Sequence, residues 1–225
     1  MKLDKKQIQF IDETLKLNGV VYQDVKLELI DHIATDIEEY AQENNSDFVE
    51  AFKIVFEKWK PELEPTTGTI LLVNDFKGPK IVVDRLISYS KQELRFFLTL
   101  TLIFGSLMSG LLYLNLQADA LKIVGYFIRA SFVFYISVSI IGLLFIKISG
   151  IKTTYSKLFL TRITQILGIP LMLSLEILQY PFPIKLFPLG NLIMNFVVIA
   201  VLFSCLFTVK SLFEHFKTVR KYKLI

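Results

Sequence analysis

The sequence predicts an all-α membrane protein in which a cytosolic three-helix N-terminal domain is followed by a four-helix transmembrane bundle. Four apolar runs after residue 95 are each long enough to cross the hydrocarbon layer, which takes roughly 20 residues of helix. Such runs must be helical because the bilayer holds no water for unpaired backbone groups. Charge is also segregated, since residues 1–64 carry a net charge of −7 and residues 65–225 a net charge of +11. These patterns place the acidic helical domain at 1–64, a linker and juxtamembrane helix at 65–95, the four transmembrane helices at 96–210 and a basic cytosolic tail at 211–225.

Three amphipathic helices are expected within the N-terminal domain. The first covers residues 4–17 and starts at Asp4, whose spacing from Gln7 is that of a capping box. The second runs from about residue 22 to residue 43, and the third starts at Asp47 and carries apolar residues at helical spacing as far as Trp59. About 60 residues make only a marginal core. We therefore expect this domain to dock on another protomer or on the membrane-proximal segment.

The segment that leads from this domain to the first span contains several turn-forming residues. Residues 65–68 are predicted to be a linker, and residues 69–73 either one short strand or an apolar plug. Residues 74–78 are predicted to form a turn. Pro79 suits the first position of a helix, and this helix is expected to continue into the first span.

The second and third helices carry a recognisable pattern. Residues 25–39, VKLELIDHIATDIEE, followed by residues 47–52, DFVEAF, resemble the HAAS-type helical domain that precedes membrane spans in many bacterial proteins. This resemblance covers about residues 1–64. It implies a cytosolic regulatory or signalling module, often found beside PadR-like transcription regulators, and it brings no catalytic residues.

One face of the second helix is acidic and is predicted to bind a protein partner. Because Glu28, His32 and Asp36 are four residues apart, they share this face, where a Glu–His contact is expected. A metal ion is a second interpretation, but a single helix supplies few convergent ligands, so neither a metal nor a cofactor is expected. The predicted partner face comprises Glu28, Asp31, His32, Asp36 and Glu39.

The four predicted spans contain few polar residues, and these are informative because burying them in lipid is costly. Arg129 and Glu176 are predicted to pair in the outer half of the bundle as a proton or substrate site, and the alternatives are a structural ion pair or side chains that extend to the membrane interface. Arg162 is expected to reach lipid headgroups. Gly168 and Pro170 should kink the third span, as a hinge or as a static bend, since proline removes a backbone donor. The spans are expected at about 96–116, 123–146, 158–178 and 189–209.

The basic residues that flank the spans predict the orientation. Thirteen Lys and Arg residues lie near the ends that share one side with the N-terminal domain, whereas only Lys122 and Lys185 lie on the other side. Basic flanks stay in the cytoplasm, so both termini are predicted to be cytosolic in a bacterial inner membrane. The basic tail suits either an anionic membrane surface or the acidic N-terminal domain.

These observations favour a non-enzymatic multi-pass membrane protein that regulates or recruits a partner through residues 1–64. The alternative is a small oligomeric transporter or channel subunit that uses Arg129 and Glu176. An enzyme is disfavoured because the sequence shows no nucleophile–base or metal-ligand set. The expected partners are the lipid bilayer, a cytosolic protein and a second copy of the chain, and no nucleic acid is expected.

Overall fold

A computed structural model describes residues 2–70, 74–113, 118–175 and 188–222. This part of the chain is predominantly helical, which confirms the predicted all-α class. One small element departs from the class, a two-stranded hairpin that precedes the first long helix. The elements in chain order are α1 Lys5–Leu17, α2 Gln23–Asn44, α3 Phe48–Leu63, β1 Pro65–Ile70, β2 Asn74–Pro79, α4 Lys80–Tyr113, α5 Ala118–Ser149, α6 Thr154–Ile166, α7 Gly168–Ser174 and α8 Pro188–Lys221.

Local signals in the sequence determine where the first three helices begin and end. The Asp4 side chain accepts from the Gln7 backbone N–H and the Gln7 side chain accepts from the Asp4 N–H, so the predicted capping box is confirmed. Asp47 caps α3 in the same way through the Glu50 N–H. Helix α2 is capped at its C-terminus by Asn45, whose φ of 50° is left-handed. The buried apolar residues of these three helices are Ile11, Leu15, Val25, Leu29, Ile33, Ile37, Ala41, Ala51, Val55 and Leu63.

The predicted linker at 65–68 and turn at 74–78 are wrong, because both segments are strands. Strands β1 and β2 pair antiparallel, with Pro65 opposite Pro79 and Gly68 opposite Phe76. Phe76 is buried and anchors β2. A Cβ atom at Gly68 would lie 2.3 Å from Ile87 Cδ1, so β1 depends on glycine to approach α4. The residues predicted as a strand or an apolar plug, 69–73, lie partly outside the described residues.

The chain divides into two compact units. Unit 1 consists of Met1–Ser90, Ile151–Thr154 and Thr218–Ile225, and unit 2 consists of Lys91–Gly150 and Tyr155–Lys217. The boundary expected at residue 64 therefore falls inside unit 1, which also contains the hairpin and the start of α4.

Within the described residues, three helical segments are long and apolar enough to cross a membrane: Lys80–Leu111, Lys122–Ser149 and Leu192–Lys221. Many of their large apolar side chains are exposed, among them Phe104, Phe134 and Ile141. These features confirm the membrane class. The segment expected as the third span, 158–178, does not form one continuous helix. It is interrupted at Leu167 between α6 and α7, and residues 176–187 lie outside the described residues.

The interior of unit 2 is built around contacts between α5 and α8. Its main apolar cluster consists of Ile128, Phe132, Tyr135, Val198, Val201 and Cys205. Gly142 on α5 lets Leu212 and Phe159 approach closely, since a Cβ atom there would lie 2.5 Å from Leu212 Cδ2. Gly105 on α4 faces the Phe196 ring, which a Cβ atom would meet at 2.4 Å.

Candidate functional site: a loop-binding site centred on Asp24

The first turn of α2 binds the short segment Ile151–Thr154, which belongs to unit 1 although it connects α5 to α6 along the chain. The Thr154 N–H donates to Asp24 Oδ1 at 3.0 Å, and the Thr154 hydroxyl donates to Asp24 Oδ2. The Gln23 N–H donates to the Lys152 carbonyl at 2.8 Å. Asp24 is only 7% exposed, and both Thr153 and Thr154 are fully buried. We call this arrangement the Asp24 site.

The unpaired backbone groups of helix ends explain why the site forms here. Tyr22, the residue before α2, supplies no side-chain cap, so the first N–H of α2 finds its acceptor at Lys152. Thr154 is the first residue of α6, and its N–H is satisfied by Asp24 instead of by a residue of its own helix. A carboxylate is favourable at a helix N-terminus because the N–H groups there point toward it.

Electrostatics make the Asp24 carboxylate a costly group to bury. Burial raises the pKa of Asp24 above its ordinary value, although the hydrogen bonds from Thr154 oppose that change. Burial likewise raises the pKa of the neighbouring Tyr22 phenol, with a smaller effect from the charge of Asp24. The cost of desolvating the Asp24 carboxylate therefore exceeds the stabilisation that its hydrogen bonds provide.

A second buried charge on α2 is fully paired. Lys26 is 4% exposed, and its Nζ lies 2.5 Å from Asp12 Oδ1 on α1. Asp12 also contacts Lys16, at 2.5 Å. Burial alone raises the pKa of Asp12, but the bonds from the two lysines outweigh it and bring that pKa below its ordinary value.

Glu28 fixes α2 to the part of α4 that lies in unit 1. Arg85 binds it with both ends of the guanidinium, Nη1 to Oε2 at 2.6 Å and Nη2 to Oε1 at 2.8 Å. These bonds lower the pKa of Glu28 against the opposing effect of burial, and the positive charge of Lys221 contributes. The end of the basic tail therefore belongs to the same unit as the acidic helix, and Val219 is buried there.

The predicted partner face on α2 divides into engaged and exposed residues. Glu28 is engaged by Arg85, and Asp36 Oδ2 accepts the indole N–H of Trp59 at 3.0 Å. The His32 ring stacks on Trp59 with 6.4 Å between ring centroids. Asp31, His32 and Glu39 are exposed. The exposed part of the face is therefore narrower than the periodicity indicates.

Of the residues that the sequence analysis placed inside the membrane, Arg129, Gly168 and Pro170 are described by the structure, whereas Glu176 is not. Arg129 is half-buried on α5, and its guanidinium lies 5.7 Å from the centre of the Tyr126 ring. Glu176 lies outside the described residues, so their pairing stays a prediction. Gly168 begins α7, and Pro170 falls in the first turn of that helix, where a missing N–H costs little. The Leu171 N–H donates to the Leu167 carbonyl at 3.1 Å across the interruption.

Arg162, which was expected to reach lipid headgroups, forms an ion pair with Glu93 inside unit 2. Its guanidinium also donates to the Phe207 carbonyl at 3.2 Å and to Ser211 Oγ at 2.8 Å, so α4, α6 and α8 meet at one side chain. Both Arg162 and Glu93 are 16% exposed. Sequence reasoning missed this pair, although one signal was present: Glu93 is the only acidic residue between 85 and 118.

Comparisons with protein-family models, with curated proteins and with solved structures found no match to this chain. The resemblance to the HAAS-type domain therefore stays a prediction. Fold and composition define the class of protein, a helical membrane protein, and the Asp24 site provides the basis for a proposal about its role.

Proposed function

We propose that this chain is a multi-pass inner-membrane protein whose N-terminal helical domain is a regulatory module acting on the membrane helices through segment 151–154. In this proposal the segment expected at 158–178 completes a set of four spans, and both termini lie in the cytosol. The observation that carries the proposal is the burial of Asp24 against Thr154, because it ties the domain to the connection between α5 and α6.

A single helix carries both the binding surface and the site it controls. Helix α2 presents Asp31, His32 and Glu39 to solvent in its middle and holds Thr154 with Asp24 in its first turn. A partner that binds the exposed acidic residues and shifts or strains α2 changes the geometry at Asp24. Because the carboxylate is buried at a cost, a small change suffices to favour release of the segment.

The partner expected from this surface is a cytosolic protein with a basic contact region. The N-terminal acidic excess supports this chemistry, since complementary charge speeds association and selects partners. The HAAS-type resemblance, with its implied signalling role, points in the same direction.

Hydrogen exchange on the full-length protein in lipid nanodiscs tests the regulatory link. Asp24→Ala removes both acceptors, so amide exchange across residues 151–154 should rise at least about tenfold, as a loss of roughly 1.4 kcal/mol or more of local stability implies. Asp31→Ala, an exposed acid on the same helix, is the matched control and should leave that exchange unchanged. Equal exchange in the wild type and Asp24→Ala would rule out the Asp24 site as the link.

The recruiting role is tested separately, by an affinity pull-down in which the intact protein captures partners from the cells that naturally produce it. A partner that depends on the exposed face should be lost with the pair Asp31→Lys and Glu39→Lys. It should be retained with Glu57→Lys, which reverses an exposed charge on α3. A partner retained by both variants does not bind this face, and the module then acts within the chain only.

A further inference from the structure

Three charged side chains from different helices of unit 2 form a cluster in which cations outnumber anions. Glu93 of α4 accepts a hydrogen bond from the Arg162 guanidinium of α6. Lys210 of α8 approaches the other carboxylate oxygen, with 3.7 Å between Lys210 Nζ and Glu93 Oε1. Two positive charges therefore share one negative charge, and one positive charge is left over. We call this arrangement the Glu93 cluster.

Lys210 is the member of the Glu93 cluster whose charge is least compensated. The Arg162 guanidinium is engaged by Glu93, by the Phe207 carbonyl at 3.2 Å and by Ser211 Oγ at 2.8 Å. The distance of 3.7 Å from Lys210 Nζ to Glu93 is too long for a good hydrogen bond. The Lys210 side chain is also 57% exposed, whereas those of Glu93 and Arg162 are each 16% exposed. An anion can therefore reach Lys210 without displacing Arg162.

The acidic residue that follows Lys210 on α8 has a cation of its own. Glu214 lies one helical turn beyond Lys210, and its carboxylate is 3.7 Å from Lys217 Nζ. The charges of Glu214 and Lys217 offset each other, so they do not change the balance at the Glu93 cluster. The excess positive charge therefore stays at Lys210.

The Glu93 cluster lies where the uncharged stretches of two long helices end. Residues 96–111 of α4 and 192–209 of α8 contain no charged side chain. Both stretches belong to segments that are long and apolar enough to cross a membrane. Glu93 precedes the first stretch and Lys210 directly follows the second, so their contact marks the edge of the hydrocarbon layer. The polar headgroups of lipids lie at this level.

We propose that Lys210 binds the phosphate of an anionic lipid headgroup at the Glu93 cluster. A lysine ammonium is a common phosphate-binding group, and basic pockets between membrane helices bind anionic headgroups. A phosphodiester carries a single negative charge, which balances the excess positive charge of the cluster. A lipid is the source of the phosphate because the cluster lies at headgroup level. The proposal requires a membrane protein only and is independent of the role proposed for the Asp24 site.

Native mass spectrometry of the full-length protein in detergent, titrated with phosphatidylglycerol, tests the site by measuring the affinity for the first bound lipid. Lys210→Gln should lower this affinity about fivefold, the factor expected for one basic residue near an anionic headgroup. Lys210→Arg keeps the charge and should bind nearly as well as the wild type. Lys147→Gln is the matched control, because it removes an exposed lysine from the last turn of α5 and should leave the affinity unchanged.

Glu93→Gln should have the opposite effect. It removes the negative charge that competes with the lipid for Lys210, so the affinity for phosphatidylglycerol should rise. The rise should be smaller when Lys210→Gln is also present. Lys210 is exposed and makes only the long contact with Glu93, so the Lys210→Gln comparison tests the site even if Glu93→Gln lowers stability.

Three outcomes would overturn the proposal. Equal losses of affinity in Lys210→Gln and Lys147→Gln would mean that the lipid responds only to the general charge of this end of unit 2. Equal affinities of the wild-type protein for phosphatidylglycerol and phosphatidylcholine would mean that the excess charge does not select the lipid. Displacement of the lipid by inorganic phosphate at equal concentration would assign the site to a free anion.

Discussion

Charged residues of unit 1 differ in the kind of partner that they have. Lys26 and Glu28 each have a charged partner at hydrogen-bonding distance, whereas the hydrogen bonds to the Asp24 carboxylate come from neutral donors, which are Thr154 and backbone N–H groups of α2. A carboxylate held by neutral donors in a buried position is stabilised less than a paired one. Protonation of Asp24 therefore relieves a cost of burial, which makes its contribution to stability depend on pH.

Acidification should change the stability contributions of Asp24 and Glu28 in opposite directions. The pKa of Asp24 is raised by burial above 3.8, so the folded state binds its proton more readily than the unfolded state does. Stability from this group is greatest at low pH and falls as pH rises through the folded pKa. Asp24→Asn removes the titration and keeps an acceptor for the Thr154 N–H. The difference in unfolding midpoint, wild type minus Asp24→Asn, should thus become more positive as pH falls from 7 toward 4.

The contribution of Glu28 to stability should depend on pH in the opposite direction, so Glu28 serves as the comparison for Asp24. Its pKa is lowered below 4.5, chiefly by Arg85, so its contribution is present above that value and is lost as pH falls through the folded pKa. The difference between wild type and Glu28→Gln should therefore shrink on acidification, measured in the same detergent and salt. Two differences with the same pH slope would contradict the assignment of these two environments.

At the scale of elements, small residues decide where the helices of unit 2 approach one another. Gly105 and Gly110 lie on the same helix, α4, but only Gly105 faces another helix closely, since nothing lies within 4 Å of a Cβ atom built at Gly110. Both glycines belong to a pattern of small residues that suits close helix packing. Within the described part of the chain, Gly105 is therefore the glycine of this pair that allows another helix to approach α4.

Replacing these two glycines tests the packing of α4 directly. Gly105→Leu places a side chain where the Phe196 ring lies, and such overpacking costs about 1–3 kcal/mol. Gly110→Leu makes the same change in helix propensity at an open position and is the matched control. The unfolding midpoint in lipid nanodiscs should fall for Gly105→Leu only, and Phe196→Ala should partly restore it. Equal midpoints for the two leucine variants would show that α4 does not pack on α8 at this point.

Local patterns predicted the helices well and predicted contacts between distant residues poorly. The caps at Asp4 and Asp47 depend on residues three positions away, so their spacing is visible in the sequence. Asp24 and Thr154 are 130 residues apart and Arg85 and Glu28 are 57 apart, and no periodicity records such a pairing. The hairpin was missed for a related reason. Its strands are rich in Thr, Gly and Pro, which are typical of turns, and β1 also depends on the close approach of Gly68 to α4, which local sequence does not record.

For the whole molecule, the distribution of basic residues determines the expected topology. Residues 65–225 carry a net charge of +11, and almost all basic residues near the ends of spans lie on the side predicted to be cytosolic. The pair Arg162–Glu93 belongs to this same side of the expected bundle. Together these residues predict an even number of membrane crossings.

Reporter fusions test this topology. An enzyme that is active only outside the cytoplasm should be silent when fused after Ile225, because translocating the basic flanks is unfavourable. The same enzyme should be active when inserted near Asp119 or near Ile184, the two loops expected outside. A cytosol-specific reporter at the same three positions should give the reverse pattern and serves as the control. Activity of the first reporter after Ile225 would mean an odd number of spans or the opposite orientation.

Unit 1 is assembled from three stretches of chain that leave the ribosome at very different times. Residues 1–90 are made first, the Thr153–Thr154 pair follows after α5, and Val219 follows near the end of α8. The N-terminal helices are therefore made well before residues 151–154, and the Asp24 site cannot form until α5 has been synthesised. Burial of the Asp24 carboxylate thus depends on a residue that follows it by 130 positions along the chain.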